Sequence, residues 1–331
     1  MALALVALVA VGGYAGIGYL AYQDLSIVHP GCGTREFRTQ TPADFAAYNG
    51  NHSLSVDTSA YQFSDYETVA FPSRDRALTI RGWYAPGAAG DAAPTVIVVH
   101  GFDSCRRDPV VMLPAAMLHR AGFGILLIDL RNHGDSDSDN GRWTGGSKEY
   151  RDVLGAWDWL VQAGHDPARI GLLGMSIRAA TVSIATGEEA RVAATWADSS
   201  PADIRLASSE YAVSKGYPGW VGGAAVPIGR LIGDPDLMEK SPDAEVRKLA
   251  GRPFAIVQGL ADKTVRPHHA VDLAAAAFAG GTSVEPWIVP GAEHVESVLL
   301  RPHDYEARLI AFFTASLGAP TASSAGATAW K

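Results

Sequence analysis

Ile170-Gly171-Leu172-Leu173-Gly174-Met175 is a run without an ionisable or hydroxyl side chain, and it passes directly into Ser176 and then into the helix-compatible Ile177-Arg178-Ala179-Ala180. A short apolar run with no polar alternation fits a strand covered on both faces, the setting of a parallel sheet rather than of a sheet wet on one side. A strand that turns straight into a helix with serine at the apex makes a strained turn, and Gly174, two residues before the serine, gives the backbone room. The hydroxyl of Ser176 is therefore expected to stand exposed above a sheet edge. Two residues after the serine, where such a turn usually carries a second glycine, the chain has Arg178. A long charged side chain there needs an exit to solvent or a carboxylate partner.

The flanking sequence repeats the strand-helix rhythm. Residues 67–72 and 78–84 are β-rich runs separated by Ser73-Arg74-Asp75-Arg76, which predicts an antiparallel hairpin at a sheet edge. Residues 95–99 are another nearly continuous apolar strand, 110–121 a helix, 124–129 a strand. In 149–163, Tyr150, Val153, Leu154, Trp157, Leu160 and Val161 recur at three- and four-residue spacing, the mark of an amphipathic helix. After the Ser176 helix, ending about 186, comes a strand at 192–196. The rhythm breaks across 199–252 and resumes with strand 254–259, helix 268–278, strand 283–289 and helix 305–317. This alternation predicts an α/β fold with a mostly parallel, doubly wound sheet. The Gly/Pro-containing 199–252 segment predicts an inserted helical lid, whose Trp220, Val221 and Ile228 are candidates to line a substrate cleft or, equally, to pack the lid down.

Residues 1–23 contain no charged side chain and are dominated by Ala, Leu, Val, Gly and Ile. About 20 apolar residues suffice to span a bilayer core of about 30 Å, so the segment is expected to be an uncleaved membrane anchor in contact with lipid, with an extracytoplasmic domain behind it. Secretion after signal cleavage is the alternative. Residues 24–60 are expected to be a linker, 61–317 the folded domain and 318–331, rich in Ala, Ser, Thr, Gly and Pro, a disordered tail. The net charge of −8 argues against a nucleic-acid partner. Cys32 and Cys105 are the only cysteines, too few for a disulfide framework, and are expected to be unpaired, with a single Cys32–Cys105 bridge outside the cytoplasm as the alternative.

Acyl transfer by serine needs a base for its proton, an acid to orient the base, and donors for the oxyanion. Each has a candidate after a strand. Asp262 follows strand 254–259 and His294 follows strand 283–289 in Pro290-Gly291-Ala292-Glu293-His294, giving the chain order Ser, Asp, His. Asp198, near the end of strand 192–196, is a second candidate acid. His133 is expected to make a structural hydrogen bond, and His268 and His269 simply to open a helix. Asp135-Ser136-Asp137-Ser138-Asp139-Asn140-Gly141 lacks the glycine and glutamate of a calcium loop and is expected to be a solvated acidic loop. Arg106 and Arg107 are expected to pair with Asp103 or Asp108, with attraction of an anionic substrate as the alternative.

With His100-Gly101-Phe102 after the third strand and Asp129-Leu130-Arg131-Asn132-His133-Gly134-Asp135-Ser136 after the fourth, residues 67–317 resemble the α/β-hydrolases, and more narrowly the lid-bearing serine hydrolases related to acyl-peptidases and serine aminopeptidases. The resemblance implies Ser176 as nucleophile, His294 as base, Asp262 as orienting acid, and the backbone N–H groups of Phe102 and Ile177 as oxyanion donors. It implies a small-molecule acyl substrate, an ester first and a peptide or thioester as alternatives, with no cofactor and no metal. Arg178 motivates the competing expectation of a catalytically weak scaffold that serves as a binding protein.

Overall fold

The computed structural model describes residues 1–32, 38–49, 54–75 and 78–320. The chain opens with α1 (Ala2–Ser26) and a small antiparallel ladder of β1 (Ala47–Asn49) with β2 (Leu54–Val56). There follow β3 (Glu67–Pro72), β4 (Thr79–Ala85), β5 (Thr95–Val99), α2 (Pro109–Arg120), β6 (Gly124–Asp129), α3 (Tyr150–Gln162), β7 (Ile170–Met175), α4 (Ile177–Glu188) and β8 (Ala194–Asp198). The inserted segment holds α5 (Ile204–Ser214), α6 (Trp220–Ile232) and α7 (Pro242–Val246). The chain then returns to the sheet with β9 (Phe254–Gly259), α8 (His268–Ala279), β10 (Trp287–Val289), α9 (Ser297–Leu300) and α10 (Pro302–Leu317).

The main sheet has the order β10-β9-β8-β7-β5-β6-β4-β3, antiparallel only where β4 meets β3 and β6. This is the fold class that the alternation predicts. β5, β6, β7 and β8 are buried along their whole length because helices cover both faces. Leu113, Met117, Tyr305 and Phe313 of α2 and α10 pack one face, and Val153, Leu154, Trp157, Val182 and Ile184 of α3 and α4 pack the other. Successive strands step one way from β5 to β6 and the other way from β7 to β8, so the chain diverges between the carboxyl ends of β5 and β7. In such sheets that crevice is where ligands bind, and it is where the loops carrying Phe102 and Ser176 emerge.

Residues 24–60 are more than a tether. Phe45 and Ala47 join the main core, and the β1–β2 ladder lies outside anything the polar sequence suggested. The expectation for 283–289 shrinks to the three residues of β10, paired in parallel to β9. Of the tail, residues 321–331 lie outside the described residues, as do 76–77 of the hairpin turn.

Cys32 and Cys105 are joined by a disulfide, contrary to the expectation of free thiols. A 73-residue separation gives no cue in sequence; the pairing follows from how the segment after α1 docks. Val28 N–H donates to Gly141 O at 2.9 Å, and His29 donates its backbone N–H to Asp103 Oδ1 at 3.1 Å. These contacts hold Cys32 against the loop after β5. A loop of that length predicts an entropic stabilisation of about 4 kcal/mol. Cys32→Ser is therefore expected to lower the unfolding free energy by about 2–4 kcal/mol, measured by urea denaturation, with dithiothreitol having the same effect on the wild type and none on the variant.

Candidate active site

Ser176 sits between β7 and α4 with φ 60°, a backbone conformation that few residues other than glycine adopt. A β-carbon on Gly174 would lie 2.6 Å from the carbonyl oxygen of Arg178 and 2.7 Å from a Val182 methyl, so glycine is required there for the turn to close. The serine backbone N–H donates to Asp198 O at 2.8 Å, fixing the turn to the neighbouring strand. Tight packing beneath the apex leaves the side chain partly exposed at the top of the sheet.

Ser176 Oγ lies 2.7 Å from His294 Nε2, and His294 Nδ1 lies 2.8 Å from Asp262 Oδ2. The carboxylate acceptor assigns the imidazole proton to Nδ1, which turns the Nε2 lone pair toward the serine hydroxyl. Asp262 is itself immobilised. Its Oδ1 accepts the N–H groups of Thr264 and Val265 at 2.8 and 2.9 Å, and Oδ2 also accepts from Gln258 Nε2 at 2.9 Å. Gln258 was not singled out in the sequence; a buried glutamine at the end of an otherwise apolar strand is the signal that points to it. Asp198 does not touch the imidazole. Its carboxylate accepts from Tyr305 Oη and Ser199 Oγ, both at 2.9 Å, and burial pushes its pKa up to about 6.

Ile177 is the first residue of α4, where the helix leaves its leading N–H groups without partners inside the helix and concentrates positive dipole. Gly101 lies against the Ser176 β-carbon, with 3.7 Å between that atom and an added β-carbon, so the loop carrying Phe102 borders the same spot. Phe102 and Ile177, the two residues expected from sequence to supply donors, thus lie in segments that border the serine.

Arg178 has neither the solvent exit nor the carboxylate that the sequence reading required. Its side chain is fully buried, with Nη2 3.1 Å from His133 Nε2 and the guanidinium 5.9 Å from the Phe102 ring and 5.6 Å from the Trp143 ring. His133 donates Nδ1–H to Arg131 O at 2.8 Å, so its Nε2 is the acceptor that the guanidinium needs. Desolvation draws the Arg178 pKa down to about 10, and the same burial, with the arginine charge beside it, holds His133 well below its ordinary value. Arg178 Nε and Nη1 have no hydrogen-bond partner among the described residues. Replacing a buried, poorly compensated charge by an apolar chain of similar volume is neutral or stabilising, whereas deleting its volume leaves a cavity. Arg178→Met is therefore expected to unfold at the same or a higher urea concentration than the wild type, and Arg178→Gly to fall below Arg178→Met by about 3 kcal/mol.

The 129–136 stretch supports the site from below. Asp129, fully buried, binds the guanidinium and the backbone N–H of Arg106, and a β-carbon on Gly134 would collide with the same carboxylate. Arg106 and Arg107 therefore pair with Asp129 and Asp135, not with Asp103 or Asp108. Their guanidinium groups stack over Trp83 at 4.6 and 4.9 Å. The acidic loop is solvated as expected, with Asp135, Asp139 and Asn140 exposed, and it is also pinned, because Asp137 binds Arg81 at 2.9 Å and the Thr79 N–H at 2.9 Å.

The lid candidates divide. Val221 packs with Phe102, Ile177, Trp143 and Val226 in one apolar cluster that includes both residues bordering the serine turn. Trp220 stacks on Tyr14 of α1, and Ile228 meets Gly18 of α1. Glu210 of α5 and His268 and His269 of α8 bring possible ligand atoms within 4.8 Å of one another. His269 Nδ1 accepts the Ala202 N–H at 3.3 Å, so its proton sits on Nε2, the atom facing Glu210, and that nitrogen has no lone pair for a cation. The two histidines do more than open a helix: His268 joins α5 to α8 through Glu210 at 2.9 Å. The His268 pKa is raised, first by Asp272 and then by Glu210. A raised folded-state value stabilises at low pH and is lost as pH rises through it. Amide exchange in α5 is accordingly expected to quicken as pH rises from 6 to 8, and to lose that pH dependence, beyond the intrinsic chemistry, in His268→Gln.

The Prolyl oligopeptidase family matches residues 110–320. The thiohydrolase aneE of Aspergillus aculeatus is 32% identical over 117 residues, 35% of this chain and 36% of that protein, so the chain matches about a third of the length of that curated relative. Among solved structures, the Pyrococcus furiosus esterase Pf2001 superposes with a TM-score of 0.64 at 21% identity, covering 89% of this chain and 100% of that one. A puromycin-hydrolyzing peptidase from Mycobacterium tuberculosis gives 0.62 at 22% identity, covering 78% of this chain and 40% of that one. At these identities the structural likeness is one of fold, the α/β-hydrolase fold.

Proposed function

The chain belongs to the Prolyl oligopeptidase family of hydrolases, and from that membership we propose that it is a serine hydrolase of carboxylic esters working through Ser176, His294 and Asp262. The observation that carries the proposal is the hydrogen-bonded relay from Ser176 Oγ through the imidazole to the buried Asp262, set at the crevice where the sheet diverges. In this reading Ser176 Oγ bonds to the substrate carbonyl carbon while its proton passes to His294 Nε2. The oxyanion that forms is met by the N–H groups of Phe102 and Ile177, each worth about 2.7–4 kcal/mol of barrier. Collapse breaks the bond to the leaving alcohol, which takes the proton from Nε2. Water, deprotonated by the same nitrogen, then bonds to the acyl carbon; the bond to Ser176 Oγ breaks, the acid leaves, and the proton on Nε2 returns to Oγ.

The acyl side of the substrate is read from the residues beside the serine. Val221, Val226, Phe102, Ile177 and Trp143 are apolar and suit a hydrocarbon acyl chain. The intact Ser176 turn over a buried Arg178 weighs against a scaffold that has lost its chemistry. Fluorophosphonate labelling, followed by p-nitrophenyl esters beside aminoacyl p-nitroanilides, tests the reading. Labelling and faster ester cleavage are expected; a folded protein that resists the probe would revive the scaffold, and faster anilide cleavage would make it a peptidase.

The same proposal keeps α1 on the mature protein as a membrane anchor with the catalytic domain outside the cytoplasm. Gly18, Ala21 and Tyr22 are buried in the fold, which a cleaved signal would not supply, and the Cys32–Cys105 bridge suits an oxidising compartment. Retention in carbonate-washed membranes and protease access in intact cells are the expected results.

A further inference from the structure

The apolar helix does not leave the domain as a free stalk. From Tyr14 onward α1 runs alongside α6 of the lid: Tyr14 stacks on Trp220 at 5.9 Å, and a β-carbon on Gly18 would lie 2.7 Å from both Ala224 O and the Ile228 side chain. One turn further, the Tyr22 ring fills the space above Gly229, with the Arg142 guanidinium 4.4 Å over the ring and the hydroxyl bonded to buried Asp234. The helical residues before Tyr14 rise only about 18 Å, short of a hydrocarbon core of about 30 Å. Reaching that thickness takes the eight further residues to Tyr22, about 12 Å more, which is the stretch occupied by α6. Asp24, Arg142 and Asp234 stand at that boundary, as does Arg230 in the last turn of α6, while exposed Lys215 precedes the first turn of α6.

The outer surface of the pair fits this level. Leu3, Leu5, Leu8, Ile17 and Leu20 of α1 are exposed, and so are Trp220 and Leu231 at the two ends of α6, with Tyr217 just before it. Leu231 is 80% exposed, an unfavourable setting in water that hydrocarbon reverses. The opposite side of α6, through Val221, Ala225 and Val226, joins the cluster that holds Phe102 and Ile177 beside Ser176.

We propose that α6 is embedded in the bilayer beside α1, so that the apolar cluster beside Ser176 includes a membrane-inserted element and the substrate is an ester of a bilayer-resident amphiphile that enters laterally. This rests on the serine-hydrolase and anchor readings above. It adds the place of the lid and the class of substrate.

The test uses the full-length protein reconstituted in phosphatidylcholine vesicles, with an environment-sensitive NBD fluorophore on Leu231→Cys. Quenching by phosphatidylcholine spin-labelled at acyl carbon 5 is expected to match that of a probe at Leu8→Cys and to exceed that at Val271→Cys of α8. A probe at 231 as unquenched as the one at 271 overturns the proposal. In the same vesicles, Tyr217→Glu/Leu231→Glu is expected to lower turnover of dioleoylglycerol at least tenfold and leave p-nitrophenyl butyrate turnover within twofold. Equal rates on both substrates, equal loss of both, or a wild type that cleaves p-nitrophenyl butyrate but no bilayer ester each overturns it. A wild type that docks, with position 231 quenched, yet neither reacts with fluorophosphonate nor cleaves p-nitrophenyl butyrate overturns instead the serine-hydrolase reading and the substrate assignment with it.

Discussion

Ser176→Ala is expected to lower p-nitrophenyl ester turnover by about 10⁵- to 10⁶-fold and to abolish fluorophosphonate labelling. The hydroxyl makes one side-chain hydrogen bond, to His294, and the strained φ of 60° is set by the packing of Gly174 and the Asp198 carbonyl rather than by the side chain. Alanine therefore inherits the same backbone, and urea unfolding is expected to stay within about 0.5 kcal/mol of the wild type. Whatever rate remains comes from the oxyanion donors and from substrate positioning, so substrate affinity is expected to survive where turnover does not. A variant that keeps even a few per cent of wild-type turnover, or that is still labelled, removes Ser176 from the nucleophile's role.

How much of this was legible in the sequence depends on whether a residue's environment is set locally. The sheet was legible because strands buried on both faces, such as β5 and β7, have no polar alternation to confuse them with anything else. The positions of Ser176, Asp262 and His294 were legible because each follows a strand in a loop that the parallel topology must bring to one edge. Partner choice was not. Arg106 sits two positions from Asp108 but pairs with Asp129, because the loop after β5 folds over the end of β6. Cys32 meets Cys105 through the docking of a segment whose hydrogen bonds are mostly made by backbone, which leaves no trace in side-chain pattern.

Arg178 and α1 show a second kind of limit. An arginine in a glycine position announces a conflict, yet its solution lies in His133, Phe102 and Trp143, which come from two other loops. A uniformly apolar helix has no periodicity from which a packing face is read, and only small residues such as Gly18 and Ala21 hint that something lies close. Whether Trp220 and Ile228 line the cleft or pack the lid is open in the sequence for the same reason; the structure sets both against α1. In each case the deciding partner is distant in sequence and chosen by tertiary packing.

Asp262→Asn should separate the two candidate acids, with an expected loss of about 10⁴-fold in kcat. Asparagine at this position keeps an oxygen for the Thr264 and Val265 N–H groups, which places its NH2 toward His294. The imidazole then accepts at Nδ1 and carries its proton on Nε2, facing the serine it should deprotonate. Asp198→Asn is expected to leave turnover within a few-fold, because that carboxylate bonds Tyr305 and Ser199 and not the imidazole. Its signature is in stability. A buried carboxyl raised to about 6 is penalised when ionised, so its contribution improves as pH falls through that value and is at its worst above it. The asparagine variant escapes the penalty and should gain on the wild type by about 1–3 kcal/mol between pH 5 and pH 8, read from urea unfolding at the two pH values. The opposite pattern, with turnover lost in Asp198→Asn and kept in Asp262→Asn, would transfer the orienting role to Asp198 and require His294 to turn away from the hydrogen bond it makes here.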